Sequence, residues 1–508
     1  MVTYSQFKHD WIEPCYAFRV PMSKDYRVFL NGEEIPVYSC RVSAYPFNTV
    51  WPGHQRYLDQ TELASYVNII SDQEVTLQVQ PLTKTAYEKI MLKPYSKGIT
   101  PKKVGDKIEF TLKENGGYVL ELDDYHGFLY IFNNKPVVLE DPKKVTYYFD
   151  KGVHFVGRLQ LRSNESVYLD KDALVYGCVY AENAENIHVY GNGVFDDGAE
   201  ERVCDYNNCF EPFTNGNIKF YDCKNIKLEG VGFANSAIWC VNFFHCENVE
   251  IDGIKVFGQW RYNSDGIDIV NTKKVKIKDS FIHSFDDVIS LKGIDRYAES
   301  DVCDVSVYNC VLWCDWNKVL ELGLESVCKE YKNITFKNCD VLRGSLCVCD
   351  IQNGDCAEMH DITFEDIRIE LESFYTTLVY QMFDQMKYDG YGEIEPTSIF
   401  SITNPRYRDE VEVYKDVSSS IFCSNMKKDE NYASAHDILV KDICIYADEK
   451  VVKERGKGCA KIQFVNKIAT TKFRNIVIDN VMLNGKKLSK EDIVIEAENF
   501  DLKNLTIK

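Results

Sequence analysis

Three aspartates are the residues in this chain whose spacing first suggests chemistry. Asp265 lies in the segment Asn-Ser-Asp-Gly, and the pair Asp286 and Asp287 follows 21 residues later. Such a separation is close to one coil of a solenoid, so carboxylates distant in sequence would lie side by side on its surface. Hydrolysis of a glycosidic bond needs one protonated carboxyl to donate to the leaving oxygen and one carboxylate to activate water. A single aspartate would be assigned to an Asx turn, but this combination favours catalysis.

The spacing also sets electrostatic and conformational requirements. Three carboxylates this close cannot all remain ionised cheaply, so at least one should have a raised pKa. Successive residues of a regular strand point to opposite faces, so Asp286 and Asp287 can share the outer face only near a turn or bulge. We therefore expect the pair to lie near a turn or bulge.

A short phrase that recurs through most of the chain supplies the elements to position these residues. It consists of a polar residue, then usually Ile or Val, then residues that alternate with period two, which indicates strands. Its copies begin at Asn186, Asn225, Asn248, Lys274, Asp304, Asn333, Asp361, Asp437, Asn475 and Asn504. From Asn225 to Asp361 the steps are 23, 26, 30, 29 and 28 residues. This period, without a leucine-rich phrase, predicts an all-β fold, a right-handed parallel β-helix whose stacked coils share one core.

The chain divides into two regions with different sequence patterns. Residues 1–140 contain alternating segments separated by Asn-Gly and Asn-Gly-Gly turns, which predicts an N-terminal antiparallel β-sandwich that could cover the first coil. Residues 141–508 form the predicted β-helix domain. Within it, the step from Asp361 to Asp437 is 76 residues, so residues 372–434 are predicted to leave the solenoid. Their many tyrosines and phenylalanines could stack on sugar rings or pack the excursion onto the coils.

Composition limits the class of partner. The formal charge is −19, and lysines are scattered among acidic residues without a basic patch, which argues against nucleic acid and polyanionic substrates. No apolar run is long enough for a membrane span, and the N-terminus lacks a signal-peptide pattern. We therefore expect a cytoplasmic location, or a secreted one if a leader was removed. The 19 cysteines include no Cys-x-x-Cys pair and are predicted to be reduced core residues, with no metal or cofactor.

The chain resembles glycoside hydrolase family 28, the polygalacturonase-type enzymes, over roughly residues 150–370. Residues 263–266 are similar to the family's N-T-D-G motif, and residues 286–292 resemble its D-D-x-I-x-x-K motif. The resemblance implies inverting hydrolysis without a cofactor. It makes Asp286 the general acid, and Asp265 and Asp287 the residues that position and deprotonate water.

Two departures from that family concern its basic residues. A G-H-G motif is expected about one coil after the aspartate pair, but residues 313–318 read Trp-Cys-Asp-Trp-Asn-Lys. An R-x-K motif that grips the galacturonate carboxylate is replaced by Cys349-Asp-Ile-Gln352. These losses favour a neutral α-glucan or galactoside type of substrate over galacturonan. The two-domain plan also resembles the dextranase-like family 49, whose members pair a β-sandwich with a β-helix and use three aspartates.

Several residues near the aspartates are predicted to contact substrate. They are Trp260, Arg261, Tyr262, His283, Lys292, Trp316 and Asn317. Lys292 could also fix Asp286 or Asp287 electrostatically. Glu321 and Glu325 are further acidic candidates, whereas Asp196-Asp197 follows a Gly-Asn-Gly turn and is interpreted as structural.

Two other functions remain compatible with these residues. A polysaccharide lyase on the same fold would need Ca²⁺ held by the carboxylates and a basic proton acceptor, for which Arg261 or Lys292 could serve. A non-catalytic carbohydrate-binding β-helix would retain its function without Asp286. The sequence does not determine the linkage or the oligomeric state.

Overall fold

The fold was determined from a computed structural model. It describes residues 1–7, 21–44, 58, 61–139, 141–200, 216–355, 357–371, 397–404, 434–466 and 472–508, and the backbone alone of 378–381 and 388–392. Among these residues, no helix is long and apolar enough to cross a membrane.

The N-terminal domain is a sandwich of two sheets. One is antiparallel, in the order Glu33–Ile35, Tyr26–Leu30, Val75–Pro81, Lys107–Leu112 and Lys102–Val104. The other runs Val2–Tyr4, Thr61–Ser71, Asp124–Asn134, Gly116–Leu122 and Ile90–Lys93, with Tyr38–Ser43 paired to Thr61–Ser71. It has one parallel pairing, between Thr61–Ser71 and Asp124–Asn134. Alternate residues such as Val75, Leu77 and Val79 are buried between the sheets, as period-two strands require.

The remaining chain forms the β-helix, and consecutive coils pair in parallel along three stacks. Its strands are Tyr147–Phe149, Gly152–Leu161, Ser166–Leu169, Ala173–Glu182, Glu185–Gly191, Val194–Asp196, Ile218–Tyr221, Lys224–Glu229, Gly232–Ala234, Val241–Phe244, Glu247–Asp252, Lys255–Phe257, Ile267–Val270, Lys273–Lys278, Phe281–Ser284, Ile289–Gly293, Val302–Tyr308, Val311–Cys314, Lys318–Ser326, Glu330–Arg343, Cys347–Gln352, Glu358–Leu371, Ser398–Asn404, Ser434–Ala447, Lys461–Asn466, Lys472–Leu483, Lys486–Lys487, Val494–Glu498 and Leu505–Ile507. The predicted parallel β-helix is thereby confirmed.

Among the described residues, helical structure is limited to short pieces at connections. One α-helix spans Glu449–Arg455, and Asp448 caps it by accepting a hydrogen bond from the Val451 amide. Single-turn 3₁₀ helices occur at Tyr95–Lys97, Pro142–Lys144, Asp295–Tyr297, Gly456–Ala460, Lys490–Asp492 and Leu502–Asn504.

The recurring phrase has a conformational origin. Asn186, Asn225 and Asn248 have φ values of 59°, 54° and 62°, the left-handed region that asparagine tolerates better than most residues. Each amide donates to the asparagine of the preceding coil: Asn225 Nδ2 lies 2.9 Å from Asn186 Oδ1, and Asn248 Nδ2 lies 2.8 Å from Asn225 Oδ1. The bend turns the following apolar residue inward, where Ile226 and its equivalents stack. The polar residues of successive phrases therefore form a hydrogen-bonded ladder at one corner of the solenoid.

Part of the predicted excursion belongs to the solenoid. Ser398–Asn404 pairs with Cys347–Gln352 on one side and Lys461–Asn466 on the other. Leu378–Gln381 and Tyr388–Gly392 form an antiparallel pair. The aromatic side chains predicted to stack on sugars, from Tyr375 to Tyr407, lie outside the described residues. In the described part of the chain, 14 cysteines carry free thiols and 13 of these are buried.

The sandwich packs along the side of the solenoid, and the cover over the first coil stays a prediction. Its six-stranded sheet contributes Tyr66, Tyr130 and Phe132 to a cluster with Phe257 and Phe281 of successive coils. This sheet is apolar on both faces; residues 64–71 of one strand are all buried. A strand that is buried on both faces needs a partner on each side, and the flank of the solenoid is the second partner.

A buried ion pair joins the two domains. The Arg343 guanidinium of the solenoid lies 2.5 and 2.7 Å from the two carboxylate oxygens of Glu121 in the sandwich. Lys93 Nζ lies 3.6 Å from Glu121 and 3.4 Å from Glu370. All four side chains are at most 3% exposed.

We expect Arg343→Met to lower the free energy of unfolding by about 3–5 kcal/mol, because it leaves a buried carboxylate short of a partner. The midpoint of urea unfolding measures this. Arg27→Met, which breaks the exposed Arg27–Glu34 pair, is the matched control and should hardly move the midpoint. Equal midpoints for the two variants would contradict the assignment of Arg343 to the domain interface.

Candidate active site

The candidate site lies where three consecutive strands of one stack begin, at Ile267, Ile289 and Lys318. The strands pair Ile267 with Ile289 and Ile289 with Leu320. Counting back two residues puts Asp265 level with Asp287 on the next coil, one strand spacing away, about 4.8 Å. The Gly266 amide donates to the Asp287 carbonyl at 2.8 Å, which fixes this alignment.

The aspartate pair lies in the four-residue connection between Phe281–Ser284 and Ile289–Gly293. The Ser284 hydroxyl donates to the Asp286 carbonyl at 2.6 Å and holds the turn. The Asp287 amide donates to Asp286 Oδ1 at 3.1 Å. The pair is outside a regular strand, as the alternation argument requires.

Asp286 has the character of a general acid. It is 3% exposed, and it accepts hydrogen bonds from Asn317 Nδ2 at 2.8 Å and Asn263 Nδ2 at 3.2 Å. Burial, followed by repulsion from Asp287, raises the pKa of Asp286 to about 7. A carboxyl with that pKa is still protonated at mildly acidic pH and can donate a proton.

Asp287 has the opposite character. Burial favours its neutral form, but the Lys292 and Lys318 cations outweigh it, so the pKa of Asp287 lies below its ordinary value. Lys292 Nζ lies 3.4 Å from Asp287 Oδ2, and the Lys318 amide donates to Asp287 Oδ1 at 3.3 Å. Asp287 is therefore ionised and suited to accept a proton from water.

Asp265 completes the set. Burial and the neighbouring carboxylates of Asp286, Asp268 and Asp287 raise its pKa well above the ordinary value. Asp265 is 2% exposed. Environment thus divides the three carboxyls into an ionised Asp287 and two groups that resist ionisation. That division is the arrangement that acid–base hydrolysis needs.

A model of a known family matches the part of the chain that holds this site. The family is described as "Glycosyl hydrolases family 28" and matches residues 138–433, more than half of the 508 residues. The chain belongs to glycosyl hydrolase family 28. It is therefore a glycoside hydrolase of an inverting family, as the resemblance predicted, and its substrate is a carbohydrate.

Comparison with solved structures found one full-length match in fold and several weaker similarities. Dex49A from Penicillium minioluteum aligns with 100% of this chain and 92% of its own at 12% identity, with a TM-score of 0.60. The hyperthermoactive exopolygalacturonase from Thermotoga maritima aligns with 67% of this chain and 84% of its own at 16% identity, TM-score 0.42. The polygalacturonase from Erwinia carotovora ssp. carotovora aligns with 70% and 86%, also at 16% identity, TM-score 0.46. No curated protein sequence matches.

The structure of this family 28 member adds acidic residues that the sequence argument did not assign. Asp268 is fully buried, and burial raises its pKa well above the ordinary value. Strand pairing aligns Asp268, Ser290, Glu321 and Asp350 in one row across four coils. Each lies between two apolar residues of its strand. Aligning those apolar–polar–apolar segments in the sequence would have found the row.

Lys292 and Lys318 are the cations of this acidic cluster. Lys292 Nζ lies 3.5 Å from Glu325 Oε2 in addition to its contact with Asp287. Lys318 Nζ lies 3.2 Å from Glu321 Oε1. Burial and Asp287 raise the pKa of Glu321 well above the ordinary value. Glu321 and Glu325, named as further acidic candidates, are therefore each paired with a lysine that also contacts Asp287.

The residues predicted to contact substrate fall into different positions. Trp260 and Arg261 are half-buried, and the Arg261 guanidinium donates to the Asn235 carbonyl at 3.3 Å. Tyr262 is fully buried and Trp316 is 4% exposed, and both pack around Phe285. These two rings form the wall under the aspartate turn. As substrate contacts, Trp260 and Arg261 stay predictions.

Three of the predicted substrate contacts, His283, Lys292 and Asn317, are engaged by protein groups. His283 is 1% exposed, stacks on Trp313 at 3.9 Å and bonds Tyr130 of the sandwich through Nδ1, so it belongs to the domain interface. Lys292 is 4% exposed and paired to carboxylates. Asn317 donates to Asp286. Lys292 and Asn317 thus act on the aspartates.

Asp196 and Asp197, interpreted as structural, accept local hydrogen bonds. Asp196 Oδ1 accepts from the Gly198 amide at 2.7 Å, and Asp197 Oδ2 accepts from the Ala237 amide at 3.1 Å. Burial raises the pKa of Asp197 to about 8.

The pKa of Asp286 predicts the alkaline limb of the activity profile. A general acid works only when protonated, so kcat/KM should fall as pH rises through about 7. The Asn317 hydrogen bond favours the ionised form, so Asn317→Ala should move that limb to higher pH. Profiles of kcat/KM against pH for both proteins measure the shift. A variant that changes KM alone, with an unmoved limb, would make Asn317 a sugar contact.

Proposed function

We propose that this enzyme hydrolyses a neutral glycan, of the α-glucan or galactoside type, with Asp286 as general acid and Asp287 as general base. The observation that supports the neutral substrate is the crowding of carboxyl groups in the cleft around two lysines that they already engage. Seven carboxyl groups surround the site against the ammonium groups of Lys292 and Lys318. They are Asp265, Asp268, Asp286, Asp287, Glu321, Glu325 and Asp350.

Both ammonium groups are already neutralised by protein carboxylates. Lys292 lies between Asp287 and Glu325, and Lys318 lies beside Glu321. A galacturonate carboxylate entering this site would have to compete with these partners, and it would lie beside carboxyl groups that already resist ionisation. A neutral hydroxyl-bearing sugar meets no such cost, because carboxylates accept hydrogen bonds from hydroxyl groups.

The residues in place of the expected basic motif support the same proposal. Asp350 and Gln352 lie on the strand beside Glu321 and Leu322, in the segment that corresponds to R-x-K. Gln352 Oε1 accepts from Lys318 Nζ at 3.2 Å. Burial raises the pKa of Asp350 to about 6, against the opposing effect of Lys318. This segment therefore presents acceptors, and no cation, to the cleft.

In the proposed reaction, the Asp286 carboxyl donates its proton to the glycosidic oxygen as the bond to the anomeric carbon breaks. Asp287, with Asp265 beside it, orients water on the opposite side of the sugar and takes a proton as the new bond forms. The anomeric configuration inverts in one displacement. Asn263 and Asn317 hold the acid in position, and Lys292 keeps the base ionised.

The test is product release from a panel of dextran, isomaltooligosaccharides, α- and β-galactosides and polygalacturonate. Wild type and Asp286→Asn are compared on each. We expect reducing sugar from a neutral glycan with wild type only. Release from polygalacturonate alone would contradict the neutral substrate while leaving the hydrolase assignment intact.

A further inference from the structure

A second cluster of chemically capable side chains lies on a different strand stack from the cleft. The strands Glu330–Arg343, Glu358–Leu371 and Ser434–Ala447 lie side by side there. Their pairing puts Glu330 beside Glu358, and His360 beside His436 on the next coil. Two imidazoles and two carboxylates from three coils therefore converge on one patch.

The geometry of the patch is that of a ligand set. His436 Nε2 lies 2.8 Å from Glu358 Oε1, and His360 Nε2 lies 3.9 Å from Glu330 Oε1. Ligand atoms of Glu330, Glu358 and His360 all lie within 4.8 Å of one another. The two imidazoles stack with their centroids 5.1 Å apart and their planes at 5°. His360 thus faces both carboxylates, and His436 joins the group through Glu358.

The opposite nitrogen of each ring is held by an aspartate. His360 Nδ1 lies 2.8 Å from Asp361 Oδ2, and His436 Nδ1 lies 2.6 Å from Asp437 Oδ2. Metal-binding histidines commonly donate their second N–H to a carboxylate, which fixes the tautomer and leaves the other nitrogen as a ligand. Asp361 and Asp437 occupy the left-handed corner of their coils, with φ of 53° and 54°, so the fold itself places them there.

We propose that His360, His436, Glu330 and Glu358 bind a divalent transition-metal ion, with Zn²⁺ as the best match. Imidazole nitrogen and carboxylate oxygen are zinc ligands, and four of them make a closed tetrahedral site. The side chains must move closer to reach bonding distances near ~2.0–2.2 Å. They are 11% to 45% exposed, so their outer atoms have room to rotate.

Two cations compete with the ion for the carboxylates. Lys332 pairs with Glu330, and Arg474 Nη2 lies 4.0 Å from Glu358 Oε1. Binding releases these pairs, which are partly exposed and therefore weak. Removing the nearer one should help the ion, so Lys332→Gln should bind zinc several-fold more tightly than wild type.

Because the patch is separate from the cleft, the ion would stabilise the folded state and take no part in hydrolysis. Glu358–Leu371 comes before residues 372–433 and Ser434–Ala447 comes after them, and these two strands are neighbours. A bound ion would tie them together and to the preceding coil through Glu330. Binding to the folded state alone raises thermal stability.

The test is calorimetric titration of ZnCl₂ into the full chain after dialysis against a chelator and then buffer. Wild type should bind one ion, and zinc should raise its midpoint of thermal unfolding. His360→Gln and His436→Gln should each weaken binding at least tenfold and lose the shift. His188→Gln is the matched control, because His188 lies 3.3 Å from a single carboxylate, Glu229, and should bind as wild type does.

Two outcomes would overturn the proposal. The first is a titration in which the wild-type protein binds no stoichiometric zinc. The other is equal affinity in His360→Gln, His436→Gln and the His188→Gln control, which would show that the ion binds elsewhere. Circular dichroism of each variant before titration establishes that it is folded. Hydrolytic activity should be unchanged in all of them.

Discussion

Asp286→Asn should lower kcat by roughly 10²–10⁴-fold while leaving the affinity for glycan nearly unchanged. The amide has the same shape as the carboxyl, and its oxygen can still accept from one of the two donors Asn263 and Asn317, but it has no acidic proton for the leaving oxygen. It also removes the repulsion that Asp286 exerts on its ionised neighbour Asp287. We therefore expect the folded state to be at least as stable as wild type.

The measurements are steady-state hydrolysis, glycan binding and thermal unfolding of the same preparation. Asp304→Asn is the matched control. Asp304 is an exposed corner residue of the Asn ladder and accepts from Asn333 Nδ2 at 3.0 Å. Its variant should keep full activity. Substantial hydrolysis by Asp286→Asn, with the same pH profile as wild type, would remove Asp286 from the acid role.

Lys292→Met should affect both activity and stability. The ammonium lies 3.4 Å from Asp287 and 3.5 Å from Glu325, and these carboxylates keep the pKa of Lys292 well above its ordinary value despite burial. Removing a buried partner of this kind costs about 3–5 kcal/mol of folding stability. Protonation of the base should also lower kcat/KM by about 10²-fold near neutral pH.

The direction of the pH effect follows from the lowered pKa of Asp287. A base is active above its pKa, so a lowered pKa extends activity toward acid. Without Lys292 the pKa of Asp287 rises, and the acid limb of kcat/KM moves to higher pH. The native stability that this pair adds is present at neutral pH and is lost as pH falls through the folded-state pKa of Asp287.

The control for this prediction is Lys276→Met, which removes an exposed lysine from a neighbouring strand. It should change neither the acid limb nor the unfolding midpoint. An unmoved acid limb in Lys292→Met, with lost stability alone, would mean that Lys292 supports the fold and has no effect on the base.

The sequence by itself determined the solenoid, the sandwich and the three aspartates. The polar residue of each phrase must adopt a left-handed conformation, and the next residue must point inward, so both leave a periodic trace. Asp265 and the Asp286–Asp287 pair could be aligned because their separation is one coil and their strands begin with the same apolar residues. Local conformation and periodicity were enough for these features, because each depends on residues close in sequence.

Only the tertiary structure decided which side chains near the aspartates meet other protein groups. His283 was predicted to contact sugar, but the sandwich lies along the flank of the solenoid and its Tyr130 takes the imidazole. The row from Asp268 to Asp350 becomes one acidic cluster because coils of different length place those residues in register. Both results depend on contacts between residues far apart in sequence. A local apolar–polar–apolar pattern marks the members of the row, but strand pairing sets their register.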